Sequence, residues 1–256
     1  MKDIEGNIKQ KLADLEKSEN IRIIYACESG SRAWGFASDD SDYDVRFIYV
    51  RSLNEYLKLE KQADFIEAEL NDVYDINGWD ITKFLKLLTK SNAVIFEWVS
   101  SPVVYRIYDE WKCVTDRMNH YFQASKMMHH YVSMAKNNIE NHFQSSQVNL
   151  KKYLYTLRPV LACEWIMVKN CPPPTEFSKL VDEVLPDSLK TSVQELLAIK
   201  KNSSEKDYGV RIPYIDSYIE QKLDEFAAFL DRTTEKKKTD WETADKVFLE
   251  VIGGNL

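Results

Sequence analysis

Three short stretches of this chain carry side chains in arrangements able to do chemistry. Gly30-Ser31 follows an apolar run, and Asp42-Tyr43-Asp44 opens another such run eleven residues later. Asp75 and Asp80 bracket the end of a third. A glycine at the end of a strand lets backbone approach a phosphate closely, and exposed N–H groups beside a serine hydroxyl donate to phosphate oxygens. Two residues apart on a strand, Asp42 and Asp44 share one face. Carboxylates that close repel each other unless a cation lies between them. Mg²⁺ takes carboxylate oxygens together with substrate phosphates, so the pattern suits a metal–nucleotide site. Asp75, in an apolar strand between Tyr74 and Ile76, is the candidate for a third carboxylate, because a charge there demands a purpose. Asp80 is the substitute, with a competing structural explanation as a helix N-cap.

Other residues have both a functional and a plain reading. Arg32 could grip a phosphate bidentately or pair with Glu28 or Asp39. Trp34 and Phe36 could meet a base or pack under the turn. Lys83 is a substrate contact or a solvated side chain. Lys151, Lys152, Tyr153 and Arg158 fall on one later helix. Lys152 and Arg158 are candidates for nucleotide contacts, with Tyr153 as a stacking platform; the plain reading is a surface face with a snorkelling arginine. His129 and His130 are adjacent, so a regular helix cannot turn both toward one ion. The Lys236-Lys237-Lys238 run reads as a solvated linker.

Stepping outward, the elements that position these residues are legible from periodicity. Residues 3–18 have helical spacing, and 21–29 and 43–50 read as strands, the second with Val45, Phe47 and Tyr49 on one face. Residues 64–70 and 72–79 read as two further strands. Helices follow from Asp80 and over 93–99. Beyond that the strand signal fades, and 105–118, 124–143, 147–169, 188–202, 213–232 and 240–251 read as helices. The expected fold is α+β: a small mixed-sheet α/β domain over residues 1–105, then an all-helical domain over 106–256.

Composition narrows the functional classes. The net charge is −7, and residues 1–100 hold 13 Lys/Arg against 19 Asp/Glu. Such a chain is a poor generic binder of nucleic acid, since phosphate neutralisation needs Lys and Arg. No stretch approaches the roughly 18 apolar residues of a membrane span. The N-terminus lacks the apolar core of a signal peptide. The four cysteines form no close metal-type pair and read as buried packing. The expectation is a cytoplasmic protein with no membrane partner.

The Gly-Ser turn, the D-x-D after a strand and the later strand aspartate resemble the polymerase-beta-type nucleotidyltransferase superfamily. The fuller strings ESGSRAWGFASDDSDYDVRFIYV, DINGWDITKFLKLLTKSNAVIFEWVSSPVVY and KKYLYTLRPVLACEWI resemble a bacterial nucleotidyltransferase family of the YcgL type, associated with RNA repair. Asn92-Ala93 departs from that family's Asn-Pro and affects a loop more than the chemistry. The resemblance implies that Gly30 and Ser31 hold a triphosphate. It further implies that Asp42 and Asp44 bind two divalent cations, Mg²⁺ or Mn²⁺, and that Asp75 binds the catalytic one. It implies transfer of a nucleoside monophosphate from a nucleoside triphosphate to an acceptor hydroxyl on an RNA end, a small molecule or a protein. The competing reading is a non-catalytic nucleotide-binding or antitoxin-like module. Acceptor, base preference and oligomeric state are not encoded in these motifs.

Overall fold

The computed structural model describes residues 3–60, 62–202, 208–233 and 238–253. Lys236 and Lys237 of the basic run lie outside the described residues. The chain opens with α1 (Ile4–Glu19), β1 (Arg22–Glu28), α2 (Gly30–Trp34), β2 (Tyr43–Val50), α3 (Leu53–Tyr56), β3 (Phe65–Leu70) and β4 (Tyr74–Asp80). It continues with α4 (Ile81–Leu88), α5 (Ala93–Val99), β5 (Val104–Ile107), α6 (Lys112–Met118), α7 (Ala124–His142), β6 (Gln147–Asn149) and α8 (Lys151–Lys169). It ends with α9 (Phe177–Val184), α10 (Asp187–Asn202), β7 (Tyr208–Val210), α11 (Pro213–Arg232) and α12 (Trp241–Gly253). The fold is mixed α/β. The described residues fall into two compact units: one takes residues up to 33, 42–121 and from 238 onward, the other 34–41 and 122–237. The units therefore do not divide at a single point near residue 105; β5, α6 and α12 belong with the sheet.

The first unit is built on a five-stranded sheet in the order β3-β4-β2-β1-β5. β2 and β4 run parallel, with Asp44 opposite Asp75 and Val45 opposite Ile76; the remaining pairs are antiparallel. Alternation along the strands decides what each face carries. Val45, Phe47, Tyr49 and Ile76 join Ile8 and Leu12 of α1 in one buried cluster. Gly78 faces the same way, where a Cβ would lie 2.2 Å from the Phe47 ring, so only glycine lets that ring pack down on β4. The odd positions of β4 and the even positions of β2 project from the other face. There Trp79 packs on Trp98 of α5 at 4.1 Å between ring centroids, and Tyr25 stacks on Trp111 at 4.4 Å.

β5 corrects the expectation of a helix from residue 105. Val103, Val104, Tyr105 and Ile107 are β-favouring, and residues 104–107 pair with β1 as an edge strand. A 3-10 turn at Asp109–Trp111 leads into the α-helix, which starts at Lys112. The second unit, gathered around α7 and α8, departs from all-helical in one respect. Residues 147–149, expected as helix, form β6 and pair with β7 through Val148 opposite Gly209. Asn149 then caps the turn into α8, its side chain accepting from the Lys151 N–H at 3.1 Å. All four cysteines are free; Cys27 and Cys163 are buried, while Cys113 and Cys171 are only partly so.

Candidate active site

The parallel pairing of β2 with β4 brings Asp44 and Asp75 side by side at the strand starts, on the face opposite α1. Asp42 lies one residue before β2 and is exposed. The start of β2 is clamped to the end of β1. Ser29 N–H donates to the Asp44 carbonyl at 2.8 Å. The Asp44 N–H donates to Glu28 Oε1 at 2.7 Å, and the Tyr105 hydroxyl donates to Glu28 Oε2. Glu28 is almost fully buried, and burial raises its pKa above the ordinary carboxylate value against the pull of those two donors. Ser101 Oγ fixes the Glu28 carbonyl at 2.6 Å.

Between the two aspartates stands Arg46, two residues beyond Asp44 on the same strand and so on the same face. One guanidinium nitrogen, Nη2, donates to Asp44 Oδ1 at 2.9 Å and to Asp75 Oδ2 at 2.7 Å. The other, Nη1, donates to the Asp75 carbonyl at 2.7 Å. Asn77 Nδ2 donates to Asp75 Oδ1 at 3.0 Å. Burial pushes the Asp44 carboxyl up to about 6; Arg46 opposes that shift, and Asp42 and Asp75 add to it. Among the described residues no three His, Cys, Asp or Glu side chains are arranged as a metal cage. The cation that joins Asp44 to Asp75 is the guanidinium of Arg46.

Gly30 closes the other side of Asp44. Its φ is +59°, a conformation that suits glycine, and a Cβ there would stand 2.0 Å from Asp44 Oδ2. Ser31, the next residue, is buried in the single turn of α2. Arg32 donates from Nε to the Asp42 carbonyl at 2.9 Å and lays its guanidinium 3.8 Å from the Tyr43 ring centroid. The turn and both strand starts are thereby held as one assembly.

The other anticipated residues are placed elsewhere. Asp80 sits at the far end of β4, opposite Tyr49, so it projects from the α1 face. It is buried and caps α4, accepting from Thr82 N at 2.8 Å and Thr82 Oγ1 at 2.7 Å, with Tyr56 donating at 3.0 Å. Lys152 and Arg158 belong to the second unit. The Lys152 ammonium lies 5.5 Å from the Tyr155 ring centroid. Arg158 is 1% exposed, 4.4 Å from the Trp34 ring, in an aromatic group completed by Phe36 and Tyr155. Trp34 and Phe36 thus take the packing role. Tyr153 is buried, donating to Asp216 at 2.9 Å and accepting from Ile212 N–H at 2.9 Å, which removes it as a stacking platform.

Sequence reasoning missed Arg46 and Tyr105, and named Glu28 only as a partner for Arg32. Arg46 was within reach, since the period-two rule that joins Asp42 to Asp44 extends to position 46. Glu28 was also within reach as an acid closing an otherwise apolar strand. The contribution of Tyr105 depends on the antiparallel pairing of β5 with β1, which no local pattern reveals.

Asp42, Asp44 and Asp75 carry oxygen donors of the type a hard divalent cation takes, and the absent side chain of Gly30 leaves Asp44 Oδ2 room, although among the described residues the three are not gathered as a metal cage. Residues 4–250 match the model of RlaP, the RNA repair pathway DNA polymerase beta family. The chain is 36% identical over 251 residues to the protein of Bacillus subtilis (strain 168) called uncharacterized protein YcgL, covering 96% of each. A structure titled as a nucleotidyltransferase-like protein from Exiguobacterium sibiricum 255-15 matches with a TM-score of 0.32 and 11% identity. That match covers 96% of this chain and 80% of the other. By the span of the family match and the identity to YcgL, the chain belongs to the RNA repair pathway DNA polymerase beta family.

Proposed function

We propose that the chain is a metal-dependent nucleotidyltransferase that transfers a nucleoside monophosphate from a nucleoside triphosphate to an acceptor hydroxyl. Family membership supports the transferase class. The observation that carries the finer reading is the Asp44–Asp75 pair, in register across parallel strands, with Asp42 beside it and Gly30 against it. Asp42, Asp44 and Asp75 would hold Mg²⁺ or Mn²⁺. Two such ions, when bound, supply a lowered pKa at the acceptor hydroxyl and charge neutralisation at the leaving pyrophosphate.

The chain's own residues do the positioning. Glu28 and Ser29 fix the backbone of Asp44, and Gly30 leaves its carboxylate room. The Gly30-Ser31 turn and Arg32 offer donors to a triphosphate. Arg46 steadies the carboxylate pair and cancels part of its charge. Asp75 would accept the acceptor's proton. The acceptor is an RNA end, a small molecule or a protein side chain, and a cytoplasmic location fits a triphosphate substrate. Among the described residues no helix is long and apolar enough to cross a membrane.

One observation favours the alternative of a non-catalytic nucleotide-binding or antitoxin-like module: Arg46 already neutralises the Asp44–Asp75 pair without any metal. The two readings part under a single assay. The protein is incubated with each of the four ribonucleoside triphosphates labelled at the α-phosphate, with Mg²⁺ or Mn²⁺, and with RNA, metabolite and protein fractions. The transferase reading expects label to appear in one fraction and to be lost with Asp44→Asn. Binding of triphosphate without transfer into any fraction leaves the module reading standing.

A further inference from the structure

A cavity of about 240 Å³ opens on the sheet face immediately beyond Asp75, on the side away from Gly30. It is lined by Phe65, Glu67, Asp75, Asn77, Trp79 and Lys83 together with the Gly78 backbone. Phe65 and Trp79 are register partners across β3 and β4, as are Glu67 and Asn77, so two rings stand side by side above two polar side chains. Phe65 is half exposed. Lys83, from the first turn of α4, places its ammonium 5.0 Å from the Phe65 centroid and 5.1 Å from that of Trp79. Its carboxylate partner, Asp64, is 3.6 Å away and half exposed. Asn77 gives its amide N–H to Asp75, and among the described residues its side-chain oxygen has no partner.

We propose that this cavity is the acceptor subsite and that it takes a nucleobase carrying a neighbouring phosphate. This inference rests on the transferase reading above for the word acceptor, though not for the binding itself. The volume lies just under the ~300–1,000 Å³ of ordinary ligand pockets, so it admits one planar group rather than a whole triphosphate. Exposed aromatic rings stack a base whatever its identity. The Asn77 oxygen and the Glu67 carboxylate accept from exocyclic amino groups. Among the described residues that line the cavity Lys83 supplies the one positive charge, and it would face the phosphate. Two substrates can therefore flank the aspartates from opposite sides, the triphosphate at Gly30 and the acceptor at Phe65. The base and phosphate belong either to a free nucleotide or to the end of an RNA strand.

The test uses the full chain in EDTA, which removes metal-dependent triphosphate binding. Adenosine 5′-monophosphate is titrated by calorimetry, with tryptophan fluorescence read in parallel. The expected result is saturable binding with quenching, weakened about ten-fold or more by Phe65→Ala and by Lys83→Ala, retained in Lys83→Arg, and unchanged by Ser31→Ala. Ribose 5-phosphate, lacking the ring, binds at least about ten-fold more weakly. A 5′-phosphorylated hexaadenylate that binds more tightly than the mononucleotide assigns the site to an RNA end; equal affinity assigns it to a free nucleotide. The proposal is overturned by absence of binding, by binding insensitive to both Phe65→Ala and Lys83→Ala, or by loss on Ser31→Ala instead. It is equally overturned if a tyrosine peptide or glucosamine binds the cavity and the nucleotides do not. Binding of adenosine triphosphate with Mn²⁺, and its loss with Asp42→Asn, is measured separately. Failure of that arm alone removes the transferase reading and leaves the base-binding cavity in place.

Discussion

Gly30 and Asp44 meet so closely that a methyl group on Gly30 would lie 2.0 Å from the Asp44 Oδ2 atom. This contact joins the turn after β1 to the carboxylate at the start of β2, and it explains why the position is a glycine twice over. The φ of +59° disfavours a Cβ by about 1–2 kcal/mol, and the carboxylate fills the space that a Cβ would need. Gly30→Ala is therefore expected to lower stability by a similar amount and to displace Asp44. Nucleotidyl transfer should fall on the order of 100-fold, the scale of losing one positioned group in an active site. Thermal melting and label transfer measured on the same preparation check both effects. Full activity in the variant would show that Asp44 does not need this turn.

Arg46 makes a second prediction. Its Nη2 bridges Asp44 and Asp75, and all three side chains are largely shielded from solvent, at 14%, 21% and 23% exposure. Removing the guanidinium leaves two close carboxylates facing each other, which a divalent cation can relieve. Arg46→Ala should lose about 2 kcal/mol in EDTA, below the range for fully buried pairs because water still reaches this one. Mn²⁺ should then raise its melting temperature by more than it raises that of the wild type. An equal Mn²⁺ response in both proteins would show that the guanidinium and the cation do not compete for the pair.

In EDTA the raised pKa of Asp44 gives a signed pH dependence. The group rests at about 3.9 when unfolded and is pushed up to about 6 when folded, chiefly by burial, with Arg46 opposing and Asp42 and Asp75 reinforcing. The native state holds this proton more tightly, so the group contributes stability below about pH 4 and loses it as pH rises through about 6. The wild type minus Asp44→Asn difference in unfolding free energy should thus fall by roughly 2–3 kcal/mol from pH 4 to 7. Glu28, whose pKa is also raised by burial, adds the same sign in both proteins and cancels. Urea denaturation across that range measures the slope, and a rising difference contradicts the assignment.

Local pattern carried four strands of the sheet, edge strand β3 included, and stopped short at the other edge, β5. Tyr43–Val50 was readable because alternating apolar residues declare a strand with one buried face. Asp75 stood out as a charge within a strand because its two neighbours are apolar. β5 was not readable, since a four-residue edge strand gains its order from pairing with β1, and a short run such as Val104–Ile107 fits helix or strand equally. Tyr153 and Arg158 show the same limit on the candidate site. Their spacing on α8 names a helical face, but whether that face is buried depends on α7, α9 and α11, which spacing does not encode.

The choice between Asp75 and Asp80 as third carboxylate gives the sharpest mutational contrast. Five residues separate them on β4, which at about 3.3 Å per residue is roughly 16 Å, and an odd interval puts them on opposite faces of the sheet. Asp80 spends its oxygens on Thr82 and Tyr56, and asparagine is as good an N-cap as aspartate. Asp80→Asn should keep transfer within about two-fold, and Asp80→Ala should cost about 1 kcal/mol of stability through the lost cap. Asp75→Asn keeps the shape and one acceptor oxygen for Arg46 but loses the charge, so transfer should drop on the order of 100-fold with little change in melting temperature. Kinetics of the three variants beside their melting curves separate the roles. If Asp80→Asn is the one that abolishes transfer while Asp75→Asn turns over normally, the pairing of Asp44 with Asp75 across the parallel strands is structural, and the catalytic face of the sheet is the one that α1 covers.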